Sequence, residues 1–255
     1  MAVKEIVKPI ILQRADPWIY KHTDGYYYFT ASVPEYDRIE IRRSKTINGL
    51  AESEAVTVWR KHKEGMLSAN IWAPEIHYID GKWYVYFAAA RTTETKEGLF
   101  DHRIFVLENE SENPLEGSWV EKGQLKTNWE SFALDATTFE HKGIRYLVWA
   151  QKDPNICGNS NLYIAKMSNP WTIEGKQVMI TEPEYDWEKI GFLVNEGPAV
   201  INRNGKIFIS YSASATDFNY CMGVLIADEN SDLLNKDSWH KSETPVFKTD
   251  EEKEI

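Results

Sequence analysis

The sequence lacks long apolar runs. No stretch approaches the ~20 apolar residues that a membrane-spanning helix needs, so no transmembrane segment is predicted. The first residues, MAVKEIVKPIILQRADP, hold neither an apolar core nor a small-residue cleavage site, so no signal peptide is predicted. Only two cysteines occur, Cys157 and Cys221, which argues against a disulfide framework. Together these absences predict a cytoplasmic protein with free thiols.

Positive charge is also scarce. Lys and Arg number 29 against 39 Asp and Glu, and the formal net charge is −10. This balance argues against a nucleic-acid partner, whose phosphates bind Lys and Arg, and against an anionic membrane surface. A neutral substrate fits better. The six histidines show no metal-ligand spacing, so no metal site is predicted.

Long segments of 3.6-residue periodicity are missing as well, which argues against a helical fold. Aromatic residues are abundant instead, with 10 Trp, 13 Tyr and 10 Phe. β-Sheets favour aromatic side chains, so most of these rings are expected to pack between sheets. Some of them are candidates to face a sugar.

Four related segments recur along the chain. A carboxylate opens each one, and each reaches an aromatic-rich strand through a glycine turn; the acids are Asp16, Glu75, Asp135 and Glu196, with gaps of 59, 60 and 61 residues. A period of this size indicates a repeat architecture, and about four short strands per unit are typical of a propeller blade. We therefore predict an all-β fold, a β-propeller forming one domain over residues 1–255. The blades are expected near 14–66, 71–128, 132–182 and 193–249.

The position of each acid relative to its turn glycine sorts the four carboxylates. Asp16, Asp135 and Glu196 lie 9, 8 and 9 residues before Gly25, Gly143 and Gly205, whereas Glu75 lies only 6 before Gly81. Three acids meeting at a channel mouth would repel one another and differ in pKa, as the acid and base of glycoside hydrolysis do. The competing interpretation is a scaffold or lectin propeller with turn-capping or calcium-binding acids.

Four motifs, in order, carry a family resemblance over about residues 10–250. ADPWI at Asp16, NIWAPEIHYIDGKWYVYF at Trp72, LDAT at Asp135 and NEGPAV at Glu196 resemble glycoside hydrolase family 43. The resemblance implies a five-bladed propeller that acts on arabinan, xylan and related pentose glycosides. It implies no required cofactor and allows a structural calcium ion.

The resemblance also implies roles for single residues. Asp16 matches the general base, Glu196 the general acid, and Asp135 the third acid that tunes and holds Glu196. Family members invert the anomeric carbon, which calls for roughly 6.5–9.5 Å between base and acid.

Further residues are candidates for the sugar pocket. Trp72 is expected to form a wall of the sugar pocket, with packing between blades as the alternative. Glu75 is expected either to bind a sugar hydroxyl or to brace the pocket. Trp18 and Phe29 are additional substrate-binding candidates with core packing as the alternative. Sequence alone does not place Tyr220, in the loop after the fourth hairpin.

The stretch SYSASATDFNYCMG after NEGPAV is more similar to α-L-arabinofuranosidase members than to β-xylosidase members. The expected activity is inverting, exo-acting release of terminal α-L-arabinofuranosyl groups from a neutral pentose-containing oligosaccharide. One alternative is a β-xylosidase of the same family. A second alternative is an inactive or carbohydrate-binding propeller fragment.

The family's fifth blade, with its Gly-Pro-Gly-His-like motif, has no counterpart here. A fifth unit would be due near residue 256, and the sequence ends at Ile255. Three explanations are open: the chain is a fragment lacking a C-terminal segment, four blades close by themselves, or a second copy covers the open edge.

Overall fold

A computed structural model describes residues 9–250, and these form four antiparallel sheets, each built from consecutive strands. The first sheet contains β1 (Ala15–Lys21), β2 (Tyr27–Ser32), β3 (Arg38–Ser44) and β4 (Val56–Arg60). The second contains β5 (Ala69–Ile79), β6 (Lys82–Ala90), β7 (Arg103–Asn109) and β8 (Val120–Gln124). The third contains β9 (Ala133–His141), β10 (Ile144–Gln151), β11 (Asn161–Asn169) and β12 (Thr172–Thr181).

The fourth sheet contains β13 (Asn195–Arg203), β14 (Lys206–Ala213), β15 (Cys221–Asp228), β16 (His240–Lys241) and β17 (Phe247–Lys248), the last two both pairing with β15. In the described part of the chain the helical segments are three single 3-10 turns, at Asn48–Leu50, Asp186–Glu188 and Lys236–Ser238. The four sheets are blades of a β-propeller, which confirms the predicted fold class. No helix within residues 9–250 is long and apolar enough to cross a membrane.

The hydrophobic core lies between neighbouring sheets. One buried cluster joins the first and second sheets, a second joins the second and third, and a third joins the third and fourth. The innermost strands pack in the same order, β1 on β5, β5 on β9 and β9 on β13. Among the described residues no buried cluster joins the fourth sheet to the first, so the ring of blades is open at that place.

The glycine turns at the end of the innermost strands differ between blades. Two-residue loops connect the strands in the last three blades, and both loop residues have positive φ, as in Asp80-Gly81 (49° and 85°). The first blade instead has a five-residue loop, His22–Tyr26, closed by a bond from the His22 amide to the Tyr26 carbonyl. Positive φ explains the Asp-Gly and Asn-Gly dipeptides, since Asn, Asp and Gly tolerate it best.

Each innermost strand carries a bulge near its start, and this bulge sets the register of the carboxylates. Asp16, Ala73, Asp135 and Gly197 occupy the same bulge position and have φ of 51°, 45°, 53° and 58°. Glu196 therefore lies one residue before the position of Asp16 and Asp135. The predicted common register was wrong by one residue at Glu196 because the longer first loop adds a residue to the count from Asp16 to Gly25.

Candidate active site

The starts of the innermost strands open into a cavity of about 380 Å³. Three of the predicted carboxylates line it together with a wall that is largely aromatic; the lining residues include Asp16, Tyr36, Trp72, Leu99, Phe100, Phe132, Asp135, Asn159, Phe192, Glu196 and Tyr220. A bulge turns the backbone where a regular strand would continue its alternation, and such bulges recur next to active sites. The fold thus brings acids from the first, third and fourth blades to one place.

Asp16 accepts a hydrogen bond from a serine of its own blade, and an amide of the next blade supports that serine. The hydroxyl of Ser32, on β2, donates to Asp16 Oδ2 at 2.7 Å, and the Ala73 amide donates to that same hydroxyl at 2.8 Å. Burial against the cavity wall raises the pKa of Asp16, while Ser32 and the Ala73 amide act in the opposite direction. Donors of this kind favour the ionised carboxylate.

Asp135 makes the corresponding contact across the third and fourth blades. The Gly197 amide donates to Asp135 Oδ2 at 2.9 Å. Burial, with the charges of Glu196 and Asp16 adding to it, raises the pKa of Asp135 well above its ordinary value. The bulge amides at Ala73 and Gly197 therefore both point toward an acid of the preceding blade, directly or through Ser32.

The phenol of Tyr220 donates to Glu196 Oε1 at 3.0 Å. Burial raises the pKa of Glu196 to about 7; the Tyr220 bond opposes the rise and the Asp16 charge increases it. The carboxyls titrate as a coupled set, because ionising one disfavours ionising its neighbours. A pocket that separates the pKa of neighbouring carboxyls can hold an acid and a base at the same pH.

Glu75 lies deeper, next to the cavity but not in its lining. His77 Nε2 is 3.1 Å from its Oε2, and Thr137 also hydrogen-bonds it. Burial raises the pKa of Glu75 well above its ordinary value and lowers that of His77 to about 3, so the His77 ring is neutral. Of the two options for Glu75, this position fits bracing between blades better than contact with a sugar.

Trp72 forms a wall of the cavity. Its ring stacks on His102 with centroids 4.1 Å apart and meets Phe100 edge-on at 4.9 Å. The interblade packing alternative also holds in part, since the ring contacts the cluster between the third and fourth sheets. The Trp72 side chain therefore lines the cavity and also packs between blades.

Trp18 and Phe29 do not line the cavity. The Trp18 indole donates to the Ile76 carbonyl at 2.9 Å, which ties the first blade to the second. Phe29 is 6% exposed and packs with Ala31 and Leu50 on the face of the first sheet that is turned away from the second sheet, as the alternation of side chains along β2 requires. Trp18 and Phe29 therefore both pack within the protein and lie outside the cavity.

Sequence reasoning missed several wall residues. Tyr36, Phe100, Phe132 and Phe192 come from loops outside the repeated motif, so the repeat period gave no signal for them. Asn159 lines the cavity with a side-chain amide that makes no hydrogen bond within the described residues. Tyr220, which the sequence could not place, reaches Glu196.

Comparison with known proteins agrees with this geometry. A family model described as glycosyl hydrolases family 43 matches residues 6–255. The chain belongs to this family. The resemblance read from the four motifs is thereby confirmed.

Relatives within the family are close. An extracellular exo-α-(1→5)-L-arabinofuranosidase of Streptomyces avermitilis is 58% identical over 95% of this chain and 50% of its own length. One of the same name from Streptomyces chartreusis is 54% identical over 94% of this chain and 72% of its length. The crystal structure of an α-L-arabinofuranosidase from Lactobacillus brevis is 59% identical, with a TM-score of 0.94 over 96% of this chain and 77% of that one. The chain spans about half the length of the Streptomyces avermitilis relative.

The predicted cytoplasmic location is contradicted by these names, because two relatives are called extracellular. The low cysteine count misled the prediction. A domain of about 250 residues buries enough apolar surface to be stable without disulfides, so few cysteines do not identify a compartment.

A calcium site was allowed by the family resemblance. Within residues 9–250, no group of three or more His, Cys, Asp or Glu side chains could hold a metal ion.

Proposed function

We propose that residues 1–255 are a single catalytic domain of an inverting, exo-acting α-L-arabinofuranosidase. The observation that carries the proposal is the meeting of Asp16, Asp135 and Glu196 in one aromatic-walled cavity. The names of the two Streptomyces relatives support the substrate and the exo mode. They also support secretion of the whole protein.

In the proposed reaction Asp16 is the general base. The Ser32 hydroxyl donates a hydrogen bond to Asp16, and the Ala73 amide donates to that hydroxyl. Both lower the pKa of Asp16, so of the three acids it is the one most favoured in the ionised form. Asp16 takes a proton from a water whose oxygen forms the new bond to the anomeric carbon. The bond between that carbon and the departing oxygen breaks on the opposite face, which inverts the configuration.

Glu196 is the general acid. Its pKa of about 7 keeps it protonated in mildly acidic solution, and its proton passes to the departing glycosidic oxygen. Asp135, bonded to the Gly197 amide beside Glu196, tunes and positions the acid. The charge of an ionised Asp16 adds to burial in raising the pKa of Glu196 and so favours its protonated form.

The substrate is a neutral pentose-containing oligosaccharide. The cavity volume lies near the lower end of the range for small-molecule sites, which fits one terminal sugar rather than a long chain. Trp72 and Phe100 offer apolar ring faces to a sugar, and Asn159 offers an amide to its hydroxyls. These contacts suit a pentose without charge.

We also propose that the open side of the propeller is covered in the whole protein. The second face of the fourth sheet, here called the uncovered face, carries six apolar side chains that are only half-buried or exposed, Ile201, Phe208, Met222, Val224, Ile226 and Phe247, with Ser210 and Ser212 between them. A segment outside residues 1–255 or a second copy would bury this face. The matched length of the relatives favours a further segment.

The activity test uses α-1,5-linked arabinobiose with the wild-type chain and Glu196→Gln. Glutamine keeps an acceptor for Tyr220 but has no proton to give, so kcat/KM should fall by roughly a thousandfold. Glu64→Gln, at an exposed position outside the cavity, is the matched control and should be unchanged. Proton NMR of the first-formed sugar should show the inverted anomer.

Two outcomes would contradict the proposal. Faster turnover of nitrophenyl xylopyranoside than of nitrophenyl arabinofuranoside would assign a β-xylosidase instead. Absence of turnover in the wild-type chain, with arabinobiose binding retained in calorimetry, would assign a carbohydrate-binding propeller.

A further inference from the structure

Tyr220 occupies a defined place beside the proposed general acid. It ends the loop between β14 and β15, lines the cavity, and donates its phenol proton to Glu196 Oε1 at 3.0 Å. Ser212, which pairs with Glu196 across β13 and β14, also hydrogen-bonds the Tyr220 phenol. The phenol is thus held between two groups of the fourth blade.

The loop before Tyr220 is itself fixed. The Asn219 amide donates to Asp217 Oδ1 at 2.8 Å, and the Tyr220 amide donates to the Asp217 carbonyl at 3.0 Å. Immediately afterwards Cys221 pairs with Ala213 and the chain enters β15. A turn closed in this way limits the positions that the Tyr220 ring can take.

We propose that Tyr220 is a positioning residue that assigns the two oxygens of Glu196 to different tasks. A phenol that donates to Oε1 leaves Oε2 as the oxygen that carries the acidic proton. Oε2 is then the atom that protonates the glycosidic oxygen, and Oε1 remains bonded to Tyr220 while the carboxylate charge forms. This inference rests on the proposed function.

Electrostatics supports the same role. The Tyr220 bond favours the ionised form of Glu196 and so opposes the effect of burial on its pKa. A charged hydrogen bond of this kind strengthens as the acid loses its proton. The Tyr220 bond therefore accelerates the reaction most for substrates whose leaving group must receive the proton of Glu196 to depart.

The test compares wild type with Tyr220→Phe on two substrates. On arabinobiose, whose leaving group needs protonation, kcat should fall about tenfold. On dinitrophenyl arabinofuranoside, whose leaving group departs as an anion, kcat should stay within about twofold. The alkaline limb of kcat/KM should move upward by about one pH unit, because the ionised form of Glu196 loses a donor.

Tyr84→Phe is the matched control. The Tyr84 phenol donates to Glu108 Oε2 at 2.8 Å, which is the same kind of bond in the second sheet and away from the cavity. This variant should leave the pH profile and the leaving-group dependence unchanged. An equal loss on both substrates in Tyr220→Phe, with an unmoved alkaline limb, would overturn the proposal.

A readout independent of turnover separates this inference from the proposed function. Carbon-13 NMR titration of the Glu196 carboxyl should give a higher pKa in Tyr220→Phe than in wild type. An unchanged pKa overturns the role of Tyr220. If the wild-type chain hydrolyses no arabinofuranoside, the proposed function fails, and the titration alone decides whether Tyr220 tunes Glu196.

Discussion

Asp16, Asp135 and Glu196 differ in the donors that reach them. A hydroxyl supported by an amide holds Asp16, one amide holds Asp135, and one phenol holds Glu196. Burial raises the pKa of all three; the charges of neighbouring acids add to the rise at Asp135 and Glu196, whereas Ser32 and the Ala73 amide lower the pKa of Asp16. This difference favours Asp16 as base and Glu196 as acid.

Ser32→Ala tests the donor to the base. Loss of the hydroxyl removes a bond that favours ionised Asp16, so the pKa of Asp16 should rise further. The base works only when ionised, so activity is lost as pH falls through that pKa. The acidic limb of kcat/KM should therefore move upward by about one pH unit, while the alkaline limb, set by Glu196 near 7, should stay.

A pH-rate profile with nitrophenyl arabinofuranoside measures both limbs. Ser210→Ala on β14 is the control, because its hydroxyl makes a single hydrogen bond among residues 9–250, a long one of 3.5 Å to the Ala199 carbonyl. An unmoved acidic limb in Ser32→Ala would show that Asp16 does not depend on this hydroxyl. Urea unfolding should show a loss of about 1–3 kcal/mol for Ser32→Ala, since the Ala73 amide loses its acceptor.

At the scale of the element, each inner hairpin separates two functions along its length. The bulge near the start of the strand places an acid or a backbone amide beside the cavity, and in the last three blades a two-residue turn at the end of the strand fixes the register. Lys142 has φ of 51° in the third hairpin, where a lysine fits less well than Asn or Gly. Substitutions in this turn should therefore change the stability of the protein without changing the cavity.

We expect Lys142→Asn to stabilise the protein by about 0.5 kcal/mol and Gly143→Ala to destabilise it by about 1 kcal/mol. A Cβ at Gly143 would meet nothing within 4 Å, so its effect comes from the positive φ of 75° alone. Urea unfolding midpoints measure both changes, and kcat should be unchanged. Lys142→Ala is the control, because it also removes the hydrogen bond from Lys142 to Asn230. If Lys142→Ala stabilises the protein as well, the preference of the turn for Asn at positive φ does not explain the effect.

At the scale of the whole molecule, the uncovered face sets the behaviour of the isolated chain. The opposite face of the fourth sheet is buried against the third sheet through residues such as Ile209 and Leu225. On the uncovered face Ile201 is 61% exposed and Phe247 is 59% exposed. Exposed apolar patches of this kind favour association.

Residues 1–255 expressed alone should therefore self-associate in a concentration-dependent way. The double variant Ile201→Lys with Phe247→Lys should restore a monomer in light scattering, because charge on this face opposes its burial. Val120→Lys, at a 54% exposed position in the second sheet, should not. A wild-type chain that stays monomeric and binds no hydrophobic dye would contradict this expectation.

Much of the fold followed from local patterns. The repeat period and the Asp-Gly and Asn-Gly turns predicted hairpin blades, because positive φ restricts which residues a two-residue turn accepts. The motifs selected Asp16, Asp135 and Glu196, and all three line one cavity. The sequence did not distinguish Trp18 and Phe29 from pocket residues, because the neighbouring residues of an aromatic ring on a strand do not show which face of the sheet the ring lies on.

The all-β propeller, its family and the set of acids were predictable from residue order, because they depend on the spacing of repeats along the chain and on short motifs. The register of Glu196, the donors Ser32 and Tyr220, and the aromatic wall from Tyr36 to Phe192 became apparent only in the folded protein. The physical reason is that these contacts join residues of different strands, loops and blades. A bulge or a loop of one extra residue changes which side chains meet, and that geometry exists only once the blades are packed.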